Sequence, residues 1–60
     1  ISFVDYLNRY RIERARELIR NTDADLKSIA EQTGFRNYNY FLRIYKQKTG
    51  RTPSQDMGER

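Results

Sequence analysis

The sequence predicts an all-α fold: one long helix packed on a helix-turn-helix pair, three helices in a single small bundle. Three observations carry this expectation. Apolar residues recur at helical spacing, and no strict period-2 run indicates a strand. Gly34, Gly50, Pro53 and Gly58 fall where helices would end and leave the intervening segments unbroken. A short turn separates two amphipathic segments in the middle of the chain.

The first helix is predicted from Ser2 to Arg20. Ser2 followed by Asp5 reads as an N-cap with an acidic residue at the third helical position, a short-armed capping box. On a helical wheel Phe3, Val4, Leu7, Tyr10, Ala15, Leu18 and Ile19 share one broad arc, the expected buried face. Asp5, Arg9, Glu13, Arg16, Glu17 and Arg20 lie opposite, spaced for intrahelical ion pairs along a solvated face. Arg11 and Arg14 break the pattern by falling inside the apolar arc. One of them is expected to reach a carboxylate or carbonyl on another element, because a buried guanidinium needs a partner.

Asn21 to Asp25 forms a polar connection in which Thr22 or Asp23 can cap the next helix. Leu26, Ile29, Ala30 and Thr33 then recur at i, i+3, i+4 and i+7, and Gly34 ends this short helix in the left-handed conformation. Ala30 supplies the small side chain that lets two helices cross closely, and Phe35 and Phe41 can fill the space beneath. A second helix, capped by Asn37, runs through Tyr38, Tyr40, Phe41, Ile44 and Tyr45 to Lys48. Gly50 terminates it, and Pro53 forbids an early restart. Tyr6, Tyr10 and Tyr45 are expected at the rim of the core.

Composition narrows the function. The 60 residues contain no cysteine and no histidine, which removes disulfides, thiolate metal sites and the commonest general base. Asp23 and Asp25 are close carboxylates but have no base, nucleophile or pocket beside them, so they read as capping and solvating groups. No catalytic residue, cofactor or metal is expected. The apolar runs are far shorter than the ~20 residues needed to span a bilayer. No secretory signal pattern opens the sequence, and a cytoplasmic location is expected. Twelve Lys and Arg against eight Asp and Glu give a formal charge of +4. A basic binding module leads over an enzyme.

The charge excess is local. No acidic residue lies between Glu31 and Asp56, whereas Arg36, Arg43, Lys46, Lys48 and Arg51 all do. On the wheel Phe41, Ile44 and Tyr45 face inward, and Asn39, Leu42, Arg43 and Lys46 face outward within a sector of about 100°. Arg43 suits guanine O6 and N7, Asn39 suits adenine N6 and N7, and an exposed Leu42 could touch a thymine methyl.

Together these residues resemble a known family. Tyr6-Leu7-Asn8-Arg9-Tyr10-Arg11-Ile12-Glu13-Arg14-Ala15, Ile29-Ala30, Gly34-Phe35, Asn39-Tyr40-Phe41, Tyr45-Lys46 and Gly50-Arg51-Thr52-Pro53-Ser54 are similar to the AraC/XylS transcription regulators. The resemblance covers nearly the whole chain and implies the second half of a bipartite DNA-binding region. Residues 1–20 would be the linker helix and 21–56 the second helix-turn-helix, together a homeodomain-like bundle. Ile1-Ser2-Phe3 also echoes Arg51-Thr52-Pro53, the segment that closes such a unit.

Carried over to this sequence, the resemblance places a recognition helix at about 37–48, with Tyr38, Asn39 and Arg43 facing bases and Leu42 beside them. Arg36, Asn37, Tyr40, Lys46, Lys48 and Arg51 would contact phosphates, while Arg11 and Ala15 would be structural. The sequence departs from the family at its end, where Asp56 and Met57 follow Gln55 in place of an aromatic residue and an arginine. Residues 57–60 are therefore expected to be frayed or foreign.

The implied partners are double-stranded DNA, a missing first helix-turn-helix and an upstream sensor domain, with any dimerisation left to the parent protein. Four or five phosphate contacts would give a log–log salt slope near ~−4. A rival reading is a small helical protein-protein interaction module that docks through Phe3, Tyr6 and Tyr10, its basic face merely solvated.

Overall fold

The structure is a computed structural model that describes residues 2–59. It contains helices α1 (Phe3–Asn21), α2 (Leu26–Gln32), α3 (Tyr38–Thr49) and α4 (Pro53–Met57), with no strand among the described residues. Each start has a local cause. Ser2, Asp25, Asn37 and Thr52 occupy the N-cap positions, and each side chain accepts a hydrogen bond from the backbone N–H three residues on. Asp25 thus caps α2, where Thr22 or Asp23 was expected. Thr22 instead closes α1, its hydroxyl donating to the Leu18 carbonyl at 2.6 Å.

The fourth helix was not anticipated. Pro53 does not block a restart but opens α4 at its first helical position, where its missing N–H has no partner to lose. Thr52 and Gln55 close a full capping box, with Gln55 N–H donating to Thr52 Oγ1 at 3.2 Å and Thr52 N–H donating to Gln55 Oε1 at 2.9 Å. Ser2 and Thr52 hold the same capping position, in keeping with the echo between their segments, and Ile1 lies outside the described residues. Asp56 ties this helix down through Tyr45 and Arg51. Met57 packs against the core, Glu59 pairs with Arg51, and Arg60 lies outside the described residues.

Helix α1 packs against each of the other three. Its buried stripe is Asn8, Ile12, Ala15 and Ile19, at i, i+4, i+7 and i+11. The core joins these to Ile29, Ala30, Phe35, Phe41, Ile44 and Tyr45. Fully burying one such large apolar side chain is worth roughly 1.5–3 kcal/mol.

The arc expected for α1 was misplaced. Phe3, Tyr6 and Tyr10 are 73%, 61% and 56% exposed, and Val4 is exposed with them. The three aromatics sit across the helix from the core stripe at about 100° per residue, while Val4 lies on the core side, at the start of the helix. The true stripe contains a small residue and a polar one, so the large aromatics drew the hydrophobic centre to the wrong side. The ion-pair ladder is also different. Among the described residues α1 holds only Arg14–Glu17 at 3.8 Å, while Asp5 reaches Lys48 of α3 at 3.5 Å. Arg16, assigned to the solvated face, is half-buried, with its Nε enclosed and given no hydrogen-bond partner.

Candidate nucleic-acid interface

The turn between α2 and α3 sets how α3 is presented. Gly34 has φ 98°. Its N–H donates to the Glu31 carbonyl at 3.1 Å, and Phe35 N–H donates to the Ala30 carbonyl at 2.9 Å. These two bonds make a Schellman ending, and Phe35 drops into the core beside Ala30. Arg11 seals the outside of the turn. Its guanidinium lies 5.9 Å from the Phe35 ring centre, and a Cβ built on Gly34 would stand 2.9 Å from Arg11 Nε. Arg11 therefore finds an aromatic face rather than the expected carboxylate or carbonyl, and Arg14 stays exposed on its own helix.

Helix α3 buries Phe41, Ile44 and Tyr45 and turns Asn39, Arg43 and Lys46 to solvent. Tyr38 is exposed at its start, with its ring 6.0 Å from that of Phe41. Leu42 is not the free surface side chain expected, because it is half-buried and packed against the core. Arg43 lies over the Tyr40 ring, its Cζ 5.3 Å from the centroid.

The residues expected on phosphates divide into distinct groups. Arg36 and Lys46 are exposed and held by no carboxylate among the described residues. Asn37 is exposed, but its Oδ1 accepts from Tyr40 N–H at 2.9 Å as the helix cap. The Tyr40 hydroxyl accepts from Asn8 Nδ2 at 3.0 Å, and its ring packs beside Phe35. Lys48 points back to Asp5, and Arg51 is clasped by Asp56 at 2.6 Å and by Glu59. Among the five cations counted on this segment, Arg36, Arg43 and Lys46 remain for an external anion.

Asp56 organises the other side of α3. Tyr45 is fully buried, not at the rim, and its hydroxyl donates to Asp56 while Arg51 Nε donates to the other carboxylate oxygen. Burial works against ionising Asp56, but the bonds from Tyr45 and Arg51 outweigh it and hold the carboxyl below its ordinary range. Burial, then the bond to Asp56, pushes the Tyr45 hydroxyl well above the ordinary tyrosine range. Donation from the Ser28 backbone N–H lowers the Asp25 carboxyl from its ordinary range.

A shallow groove runs between the outer face of α3 and the start of α4. Asn39, Leu42, Arg43, Lys46 and Gln47 line one side, and Thr52, Pro53 and Ser54 the other. The α4 residues were missed by sequence reasoning. The pattern Thr52-Pro53-x-Gln55 was the available signal, since it is a capping box with proline at the first helical position. Among the described residues no group of His, Cys, Asp and Glu could hold a metal ion, and no helix is long and apolar enough to cross a membrane.

The family described as helix-turn-helix domain matches residues 1–58. The chain belongs to the AraC-type helix-turn-helix family of DNA-binding transcription regulators. Its relatives in this AraC-type family are bacterial. The Uncharacterized HTH-type transcriptional regulator YijO of Escherichia coli (strain K12) is 40% identical over 55 residues, 92% of this chain and 19% of that protein. The HTH-type transcriptional activator RhaS of Enterobacter sp. (strain 638) is 36% identical over 50 residues, 83% of this chain and 18% of that protein. The Bifunctional transcriptional activator/DNA repair enzyme AdaA of Bacillus subtilis (strain 168) is 33% identical over 55 residues, 92% of this chain and 26% of that protein. The chain thus spans between 18% and 26% of the length of these relatives. No solved structure matches it.

Proposed function

We propose that this chain is a sequence-specific DNA-binding half-domain of a transcription regulator, with α3 in the major groove. The observation that carries the reading is the outer face of α3. It presents Arg43 and Lys46 free of any carboxylate among the described residues, next to exposed Asn39 and Tyr38. Tyr38, Asn39, Leu42 and Arg43 would meet base edges, while Arg36, Asn37 and Lys46 would meet phosphates. Lys48 and Arg51 would act on the backbone only after leaving their carboxylates, and Tyr40 would support Arg43 from beneath. Residues 1–20 serve as the linker helix, and 21–56 as the second helix-turn-helix.

The exposed stripe of Phe3, Tyr6 and Tyr10 favours a second docking function on the same chain. We assign it to the rest of the longer protein that the relatives' lengths suggest, a first helix-turn-helix with a sensor domain upstream of it. The two functions separate by substitution, since Arg43→Ala acts on DNA binding and Tyr6→Ser on docking.

The test is fluorescence anisotropy against mixed-sequence duplex DNA across a range of salt, beside Arg43→Ala. Half of a bipartite reader buries less than the ~1,000–2,500 Å² of full specific complexes, so binding is expected to be weak. The two free cations on phosphates, Arg36 and Lys46, give a log–log slope of about −2 rather than −4, and Arg43→Ala weakens binding with little change of slope. Absence of binding at the lowest salt rejects the reading.

A further inference from the structure

We propose that the groove between α3 and α4 seats the 5-methyl group of a pyrimidine, with Leu42 as its floor and the turn of Thr52 and Ser54 as its far side. The inference rests on the DNA reading and adds base chemistry to it. Leu42 is half-buried and packed against the core, so its remaining surface is held in place. Pro53 is buried, and the Thr52–Gln55 capping box fixes the turn that carries it. Asn39, Arg43 and Lys46 form the rim above this apolar floor.

That combination selects among the parts of DNA. The cationic rim suits a polyanion, but the floor offers no donor to a phosphate. Along the major groove of unmodified DNA the apolar group on a base edge is the thymine methyl. 5-Methylcytosine carries the same group on a different pair. A methyl placed between Leu42 and the turn of Thr52 and Ser54 is removed from water, and Asn39 or Arg43 can then reach the neighbouring base.

The test begins with duplexes that the chain enriches from a random-sequence pool. Each enriched duplex is remade with single thymines replaced by deoxyuridine, and with cytosine or 5-methylcytosine at the same position. One position is expected at which deoxyuridine weakens binding roughly fourfold, the worth of one buried carbon. Leu42→Ala should abolish that difference, and Leu42→Met, which keeps an apolar floor, should retain it. A matching gain from methylating cytosine there assigns the seat to the methyl group alone, and a gain for thymine only adds its O4 edge. Equal binding of thymine and deoxyuridine duplexes at every position overturns the proposal, as does an undiminished difference in Leu42→Ala. If no duplex is enriched or bound, the DNA reading itself falls, which is a distinct result.

Discussion

Asn8 of α1 donates its side-chain amide to the Tyr40 hydroxyl of α3 at 3.0 Å, although Asn8 is only 4% exposed. The bond gives a buried polar side chain its partner and fixes the ring on which Arg43 lies. The long helix therefore reaches the outer face of α3 through two side chains, without touching it directly.

Removing either partner should be costly, and removing both less than additive. Asn8→Ala and Tyr40→Phe are each expected to lower stability by about 1–2 kcal/mol, with a coupling of about 0.5–1.5 kcal/mol in the double variant. Urea denaturation followed by circular dichroism measures the cycle. Additive losses would mean that the bond carries nothing. Tyr40→Phe should keep DNA affinity, because the ring under Arg43 survives, whereas Tyr40→Ala should lose it.

The two left-handed glycines separate backbone strain from crowding. Gly50 has φ 77° with open space where a Cβ would point, whereas Gly34 has φ 98° with Arg11 Nε 2.9 Å away. Gly50→Ala should cost about 1–2 kcal/mol from backbone conformation alone. Gly34→Ala should cost more, and Arg11→Ala should recover only the excess. Thermal melts of the three variants and the Gly34/Arg11 double variant decide this; equal losses at both glycines would remove Arg11 from the argument.

The short-range grammar of the chain was legible in the sequence. Ser2 and Asn37 cap where their side chains and the following apolar spacing indicated, and Gly34 and Gly50 turn left-handed as expected. Those features depend on a few neighbouring residues. The α1 face did not read correctly: Ala15 and Ile19 are buried as expected, but Ile12 and Asn8, both left out of the arc, are buried too, Asn8 by a partner 32 positions away. The candidate site was half legible for the same reason. Arg43, Asn39 and Lys46 follow from helix periodicity, but the pairing of Lys48 with Asp5 and of Arg51 with Asp56 is tertiary. The family likeness named the helix and its roles, yet it could not say which cations the fold had already used.

Asp56 should give stability a distinct pH signature. Its folded carboxyl is held below the ordinary value, so its contribution is present above the unfolded pKa of about 4 and is lost as pH falls through the lower folded value. Tyr45 acts with the opposite sign: its raised hydroxyl contributes below the unfolded value of about 10 and is lost as pH rises towards the folded one. Asp56→Asn is expected to cost about 1–3 kcal/mol near pH 7 and to flatten the fall in stability below about pH 4. Denaturation midpoints from about pH 2.5 to about pH 8 test the sign. An unchanged acid limb in the variant would assign the loss to other carboxylates.

Lys46 and Lys48 lie two residues apart on the same helix yet should behave differently on DNA. Lys46 is exposed and has no carboxylate among the described residues, while the Lys48 side chain is 18% exposed and directed at Asp5. A cation that already neutralises a protein carboxylate releases little counterion when DNA arrives. Lys46→Ala should therefore make the log–log salt slope shallower by about 1, and Lys48→Ala should leave it nearly unchanged. The exposed Asp5 partner limits the pair to about 1 kcal/mol or less of stability, so Lys48→Ala should fold normally and the comparison is clean. Equal slope changes in the two variants would show that Lys48 swings from Asp5 to the phosphate backbone on binding. Asp5→Asn frees Lys48 and should raise affinity and steepen the slope by up to about 1.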